Sequence, residues 1–292
     1  MQKEHLPIYQ IQDFNARAQK EQYFYCSSFS SHLQEHLFIR EPHKHDFYIL
    51  LFVTQGTGTH TIDFEEYEVK PGTVFFMIPG QVHSWKLSND ADGFVIFLTQ
   101  EFYAREHPHR KLFDFPFFNA LLYKPVLILA REDESRLMRS LHLLMQEHQD
   151  QKLMKDEMLS RYLDVLLIEL ARIYQAQENK IEVLGTAHAL LQHLERLIDL
   201  HYKEHAPVGF YADRLHVTSK HLNETCKRSL GKTTIELIQH RTLLEAKRLL
   251  VHSELTASQI ATALGYFDNT YFFRFFKKHT GYTPEQFRAA HK

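Results

Sequence analysis

The chain has only two cysteines, Cys26 and Cys226, set far apart among its 292 residues. So sparse a pair excludes a disulfide framework and fits a reducing compartment. Long apolar runs are missing as well. The longest, such as residues 49–53, fall far short of the ~20 residues that cross a bilayer, and the opening decapeptide MQKEHLPIYQ has no apolar core of a signal peptide. No segment is of low complexity, and net charge is nearly absent, with 34 Lys and Arg against 36 Asp and Glu. These absences suggest a soluble, cytoplasmic protein with no need of a membrane. What is present, 44% hydrophobic and 24% charged residues, is a globular composition, and the length favours two domains.

The balanced charge conceals an asymmetry. Residues 1–182 carry 19 Lys and Arg against 26 Asp and Glu, whereas residues 183–292 carry 15 against 10. An acidic half joined to a basic half points to one domain that meets nucleic acid.

The acidic half opens with β patterning. Residues 46–53 (DFYILLFV) are dense in β-branched and aromatic side chains, and QGTG at 55–58, KPG at 70–72 and PG at 79–80 supply turns. Short strands so closely spaced, over residues 38–103, predict a small antiparallel barrel or sandwich. Weak alternation in ILLFV and VFFMI implies burial on both faces. After Pro125 the period lengthens: Leu137, Leu141, Leu144, Met145 and His148 recur at three and four, as do Leu159, Leu163, Leu166, Leu170 and Ile173. These predict two amphipathic helices. Their stripes either cover the β domain or meet a second copy of the chain, and a homodimer through residues 135–175 is the expectation.

The polar stretch around residues 179–186 reads as a linker, and nearly everything beyond it is helical. Two turn-linked helix pairs stand out there. In the second, Ile260 and Leu264 face inward from one helix, Ala261 is small where the helices cross, and Gly265 sits at the turn. Phe272, Phe275 and Phe276 face inward from the next helix, leaving Asn269, Thr270, Arg274, Lys277 and Lys278 on a polar, positive side. In the first, Tyr211, Ala212 and Leu215 precede the turn, Leu222 and Cys226 follow it, and Lys220, Asn223, Glu224, Lys227 and Arg228 point outward. His216 takes the glycine position, and Thr218 and Asp268 are placed as N-caps. Such a pair with one basic face is a DNA-reading motif. The intervening helix, residues 233–251 with Ile235, Ile238, Leu244, Leu249 and Leu250 apolar, spans about 30 Å. That is close to the ~34 Å between successive major grooves.

Residues 190–288 resemble the AraC/XylS transcriptional regulators: the segment RTLLEAKRLL at 241–250, Ile260-Ala261, GYFD at 265–268, Tyr271-Phe272, Arg274, FKK at 276–278 and GYTP at 281–284 carry the likeness. The resemblance implies binding of double-stranded promoter DNA, with base-reading positions on Lys220, Asn223, Glu224, Asn269, Thr270, Tyr271 and Arg274. The chemistry agrees, since Arg274 suits guanine, Asn223 and Asn269 suit adenine, and Glu224 suits cytosine. Thr218, Lys227, Arg228, Lys277 and Lys278 suit phosphates.

The β half, with PHKH at 42–45, VKPG at 69–72 and IPGQVHSW at 78–85, resembles the small-molecule-binding cupin barrel of the same regulators. His43 and His45 share one strand face, His83 is expected to meet them inside, and Phe47 and Trp85 complete a candidate effector pocket. Metal-dependent cupins usually carry a Glu four residues past the second His; Ile49 stands there, and Asp46 points to the opposite face. The expectation is therefore no metal, no cofactor and no catalysis.

The expected fold is two-domain. An N-terminal all-β cupin-like barrel with covering helices, residues 1–178, would bind the effector and dimerise. After the linker at 179–186, an all-α domain with two helix-turn-helix units, residues 187–292, would bind DNA, with RNA polymerase a partner if the protein activates. The alternatives are a metal-dependent cupin enzyme bearing a DNA-binding appendage, and a constitutive DNA-binding protein whose barrel only dimerises.

Overall fold

The computed structural model describes residues 6–14, 22–120, 124–150, 152–178 and 186–291. Contacts divide the chain into two compact units, Pro7–Ile181 and, in the main, Glu182–Lys292. Residues 179–185 of the expected linker lie outside the described residues.

The first unit contains β1 (Ile8–Tyr9), β2 (Phe24–Ser28), α1 (Phe29–Glu35), β3 (Lys44–His45), β4 (Tyr48–Gln55), β5 (Gly58–Ile62), β6 (Glu65–Val69), β7 (Thr73–Met77), β8 (His83–Leu87), β9 (Asp92–Leu98), α2 (Gln100–Glu106), β10 (Val126–Ile128), α3 (Arg131–Gln149) and α4 (Lys155–Glu178). An antiparallel sheet runs β10-β7-β4-β9-β2, a second runs β6-β5-β8, and β1 pairs in parallel with β3. The two-sided burial expected of residues 49–53 arises because β4 sits centrally between two cores. Ile49, Leu51 and Val53 join Phe75, Met77, Val95 and Phe97 on the barrel's inner side. Leu50 and Phe52 join Val74, Phe76, Ile96 and Leu98 on the other side, under α3 and α4.

That second core decides the fate of the helical stripes. Leu137, Leu141, Leu144, Leu159, Leu163, Leu166 and Leu170 are buried against the chain's own sheet. Covering the β domain therefore accounts for these residues, and any face left for a second copy is a different one. At roughly 1.5–3 kcal/mol for each fully buried leucine, this packing is a principal reason the sheet keeps one face dry.

The second unit comprises α5 (Thr186–His201), a 3-10 turn (Tyr202–Glu204), α6 (Val208–Arg214), α7 (Ser219–Leu230), α8 (Thr234–His252), α9 (Ala257–Ala263), α10 (Asn269–Thr280) and α11 (Pro284–His291). Helix α8 is the strut. It packs on α5, α7, α9 and α11 and starts at a capping box in which Thr233 and Glu236 satisfy each other's backbone N–H. Its Arg241 donates to Asp199 of α5 at 2.6 Å and lies over the Tyr202 ring, and Arg288 of α11 donates to the Leu250 carbonyl. The buried side of α8 is Leu237, Ile238, Leu243, Ala246 and Leu250. Ile235, one of the apolar residues of this segment, is 43% exposed and lines a surface cleft with Tyr271 and Phe275. No helix among the described residues is long and apolar enough to cross a membrane.

Candidate DNA-reading surface and effector site

Both turn-linked pairs are helix-turn-helix units built on the same plan. In the first, Tyr211, Ala212, Leu222 and Cys226 are buried; in the second, Ile260, Ala261, Leu264, Phe272 and Phe276 are. Leu215 and Phe275 are only half-buried, a looser fit than their inward assignment implied. The Thr218 hydroxyl accepts from His221 N–H at 3.1 Å, and the Asp268 carboxylate accepts from Thr270 N–H at 2.7 Å, so each second helix is capped. Both turns are left-handed, with φ +54° at His216 and +82° at Gly265. Why glycine is needed at only one of them is visible in space. A Cβ on Gly265 would stand 1.9 Å from the Lys203 carbonyl oxygen, whereas His216 is exposed and pays only the backbone cost.

On α7, Lys220, Glu224, Lys227 and Arg228 are exposed, and on α10 so are Thr270, Tyr271, Arg274, Lys277 and Lys278, with Asn269 half-buried. Asn223 differs. Its carboxamide oxygen accepts from Thr234 N–H at 3.0 Å, which ties α7 to the start of α8. That oxygen has one lone pair left for adenine, so the bidentate pairing expected of Asn223 would have to share it with the α8 backbone.

In the first unit, His43, His45 and His83 do meet inside the barrel. His43 and His83 exchange backbone hydrogen bonds at 3.2 and 2.9 Å, His45 Nε2 lies 2.6 Å from His83 Nε2, and a ring nitrogen from each of the three falls within 4.8 Å of the others. His60 of β5 is a fourth member that sequence reading missed: its Nε2 is 3.2 Å from His83 Nδ1. Alternation on β5 could have found it, because His60 shares a face with the inward Ile62. Burial holds the rings neutral, pushing His43 down to about 4 and His45, His60 and His83 well below the usual range.

Phe47 is enclosed by His45, Phe14 and Phe97, and Ile49 is part of the barrel core. Trp85 lies against His60 on one side and also lines a cleft of ≈570 Å³ between α1 and β8. That cleft is walled by Leu33, Leu37, Leu87 and Ala91 and by the polar Ser30, Gln34, Ser88 and Asn89. Of the five side chains expected at an effector, Trp85 is the one among these lining residues. A cleft of this size, part apolar and part polar, has the character of a small-molecule site.

Comparison with known proteins agrees with both halves. An AraC-like ligand binding domain model matches residues 26–194, more than half of the chain, and a helix-turn-helix domain model matches residues 211–290. The HTH-type transcriptional activator RhaS of Pectobacterium carotovorum is 28% identical over 255 residues, covering 84% of this chain and 86% of that protein. The activator RhaR of Escherichia coli K12 is 25% identical over 250 residues with the same coverage. Among solved structures, fatty acid-bound ToxT of Vibrio cholerae aligns over 93% of this chain and 97% of its own at 13% identity and a TM-score of 0.43. With a ligand-binding β domain and two helix-turn-helix units, the chain belongs to the AraC family of DNA-binding, effector-controlled transcriptional regulators.

Proposed function

We propose that this regulator binds promoter DNA as a homodimer, each chain laying α7 and α10 in successive major grooves. Residues 1–178 act as the effector and dimer domain, 179–186 as the linker and 187–292 as the reading domain. On this reading Lys220 and Glu224 of α7, and Asn269, Thr270, Tyr271 and Arg274 of α10, meet base edges. Thr218, Lys227, Arg228, Lys277 and Lys278 meet phosphates and set register. The observation that carries the reading is the repeat itself: two capped helices follow left-handed turns, and each turns Lys and Arg outward, away from the shorter helix it packs on. The 19 residues of α8, about 28 Å at helical rise, support the groove spacing. The relatives' names say activator, and the same role here would bring RNA polymerase to the promoter from a site in the cytoplasm.

The dimer contact is the outward side of α3 and α4, where Leu143, Met158 and Val165 are about half exposed. The effector is a small polar molecule with an apolar face, because the walls of the Trp85 cleft mix leucine with hydroxyl and carboxamide groups. Genome-wide mapping of bound DNA, followed by footprinting of one site, tests the reading. Each chain should protect two patches one helical turn apart. A footprint confined to one groove would overturn it.

A further inference from the structure

We propose that Phe267 reads the 5-methyl group of one thymine in the major groove that α10 enters. The proposal rests on the groove placement of α10 and adds to it an apolar specificity-determining residue with no counterpart in the first unit.

Backbone hydrogen bonds align the two units residue for residue through most of the turn. Leu215 N–H donates to the Tyr211 and Ala212 carbonyls, His216 N–H to Asp213 and Val217 N–H to Ala212. In the second unit Leu264 N–H donates to Ile260 and Ala261, Gly265 N–H to Thr262 and Tyr266 N–H to Ala261. His216 therefore corresponds to Gly265, and Val217 to Tyr266. From Val217 the first unit passes straight to its cap, Thr218, whereas the second inserts Phe267 before its cap, Asp268. The ring of this extra residue is 109% exposed, as open as in an extended peptide.

The unit's own packing does not call for that ring. An apolar residue just before an N-cap often packs on the fourth helical residue, here Phe272. Phe272 is fully buried, but its ring neighbours are Tyr266, Phe273 and Phe276. Tyr266 thus takes the place of the staple, and Phe267 is left without a ring contact among the described residues. It stands instead at the rim of the cleft that it shares with Tyr271 and Ile235, which are 65% and 43% exposed. The exposed apolar surface therefore runs on to Tyr271, a side chain already assigned to base edges.

Position and chemistry choose the occupant. Recognition helices present their N-terminal residues to base edges, and Phe267 lies two positions before Asn269, the first residue of α10. The Asp268 carboxylate between them is turned toward the helix, where it accepts from Thr270 N–H at 2.7 Å. In the major groove the base group that suits a hydrocarbon ring is the thymine methyl. Wedging between base steps belongs to minor-groove binders, so the ring meets a base edge and leaves the stack intact. Covering one methyl group is worth about a fourfold change in affinity.

The test uses the full chain and a duplex that it selects from random-sequence DNA. Each thymine of that duplex is replaced in turn by uracil, which removes only the 5-methyl group. The expected result is one thymine, in the α10 half of the footprint, where uracil weakens the wild type about fourfold and leaves Phe267→Ala unaffected. Phe267→Leu should retain part of the sensitivity, and selection repeated with Phe267→Ala should lose the thymine preference at that position alone. Because Phe267 is exposed, neither variant should change the far-UV circular dichroism. Arg274→Ala on the same duplex separates the two ways of failing. A loss there, with every uracil effect the same in Phe267→Ala as in the wild type, would overturn the proposal and leave the groove placement standing. No effect of either substitution would overturn both.

Discussion

Gly265→Ala isolates the contact that fixes the second helix-turn-helix unit. At φ +82° an alanine costs about 1–2 kcal/mol in backbone strain alone. Its Cβ would also lie 1.9 Å from the Lys203 carbonyl oxygen, where real contacts hold at 3.0 Å or more, so the Tyr202–Glu204 turn must retreat by roughly 1 Å. That turn carries the buried Tyr202 and leads to His205, whose Nε2 donates to the Leu264 carbonyl at 2.9 Å. Disturbing one such hydrogen bond and its packing adds about 1–3 kcal/mol, for a total near 2–5 kcal/mol. Urea unfolding of the full chain, followed by circular dichroism, measures it. The matched control is His216→Gly in the first unit, where the exposed turn should respond by no more than about 1 kcal/mol. A Gly265→Ala cost no larger than the strain component would refute the steric part of the reasoning.

Arg274→Ala should cost about 1–3 kcal/mol at one operator position and relax discrimination there, whereas Lys278→Ala should weaken all sequences alike and lower the salt slope by about one; operator titrations at several salt concentrations separate the two. Val165→Asp should shift the chain toward monomer in sedimentation while leaving its far-UV circular dichroism unchanged, since Val165 is half exposed. Acid should loosen the first unit through His32, whose pKa burial pushes down to about 3. Below about 6.5 the unfolded chain binds a proton that the folded chain refuses, so stability present above that pH is lost as pH falls, by about 2 kcal/mol between 6.5 and 5. The His32→Asn chain should show a pH slope smaller by one proton, and an unchanged slope would clear His32 of the effect.

Periodicity and turn chemistry made both units legible, because a buried strand or helix face leaves its repeat in the sequence. The two-sided burial of residues 49–53 followed from their lack of alternation. Partner choice was less legible. Leu137 and Leu163 announce an apolar stripe, but nothing in their spacing says whether it meets the chain's own sheet or a second chain. Asn223 reads as a free polar side chain until the N-terminus of α8 arrives beside it with an unpaired N–H. Ile235 is as apolar as the buried Ile238 and yet stays 43% exposed, at a cleft it shares with Tyr271 and Phe275. His60 was overlooked because its partners are contributed by β7 and β8 and brought around it only by the barrel.

The two reading helices are held by different means, and that bears on how discrimination divides between them. Helix α7 is anchored partly through a polar side chain on its outer half, Asn223, whose oxygen serves α8. Helix α10 is anchored by aromatic packing, Phe272 and Phe276 in the interior and Phe275 against Tyr266, which leaves its polar face uncommitted. On the proposed reading α7 brings Lys220 and Glu224 to bases, and α10 brings Asn269, Thr270, Tyr271 and Arg274. With each good bidentate contact worth about 1–3 kcal/mol of discrimination, α10 offers both Arg274 and Asn269 for one, whereas α7 offers Lys220 beside an Asn223 whose oxygen is shared with α8, so on that reading the larger part of the selectivity falls in the groove that α10 enters. Helix α7, with Lys227 and Arg228 near its end, then contributes chiefly register and salt-dependent affinity.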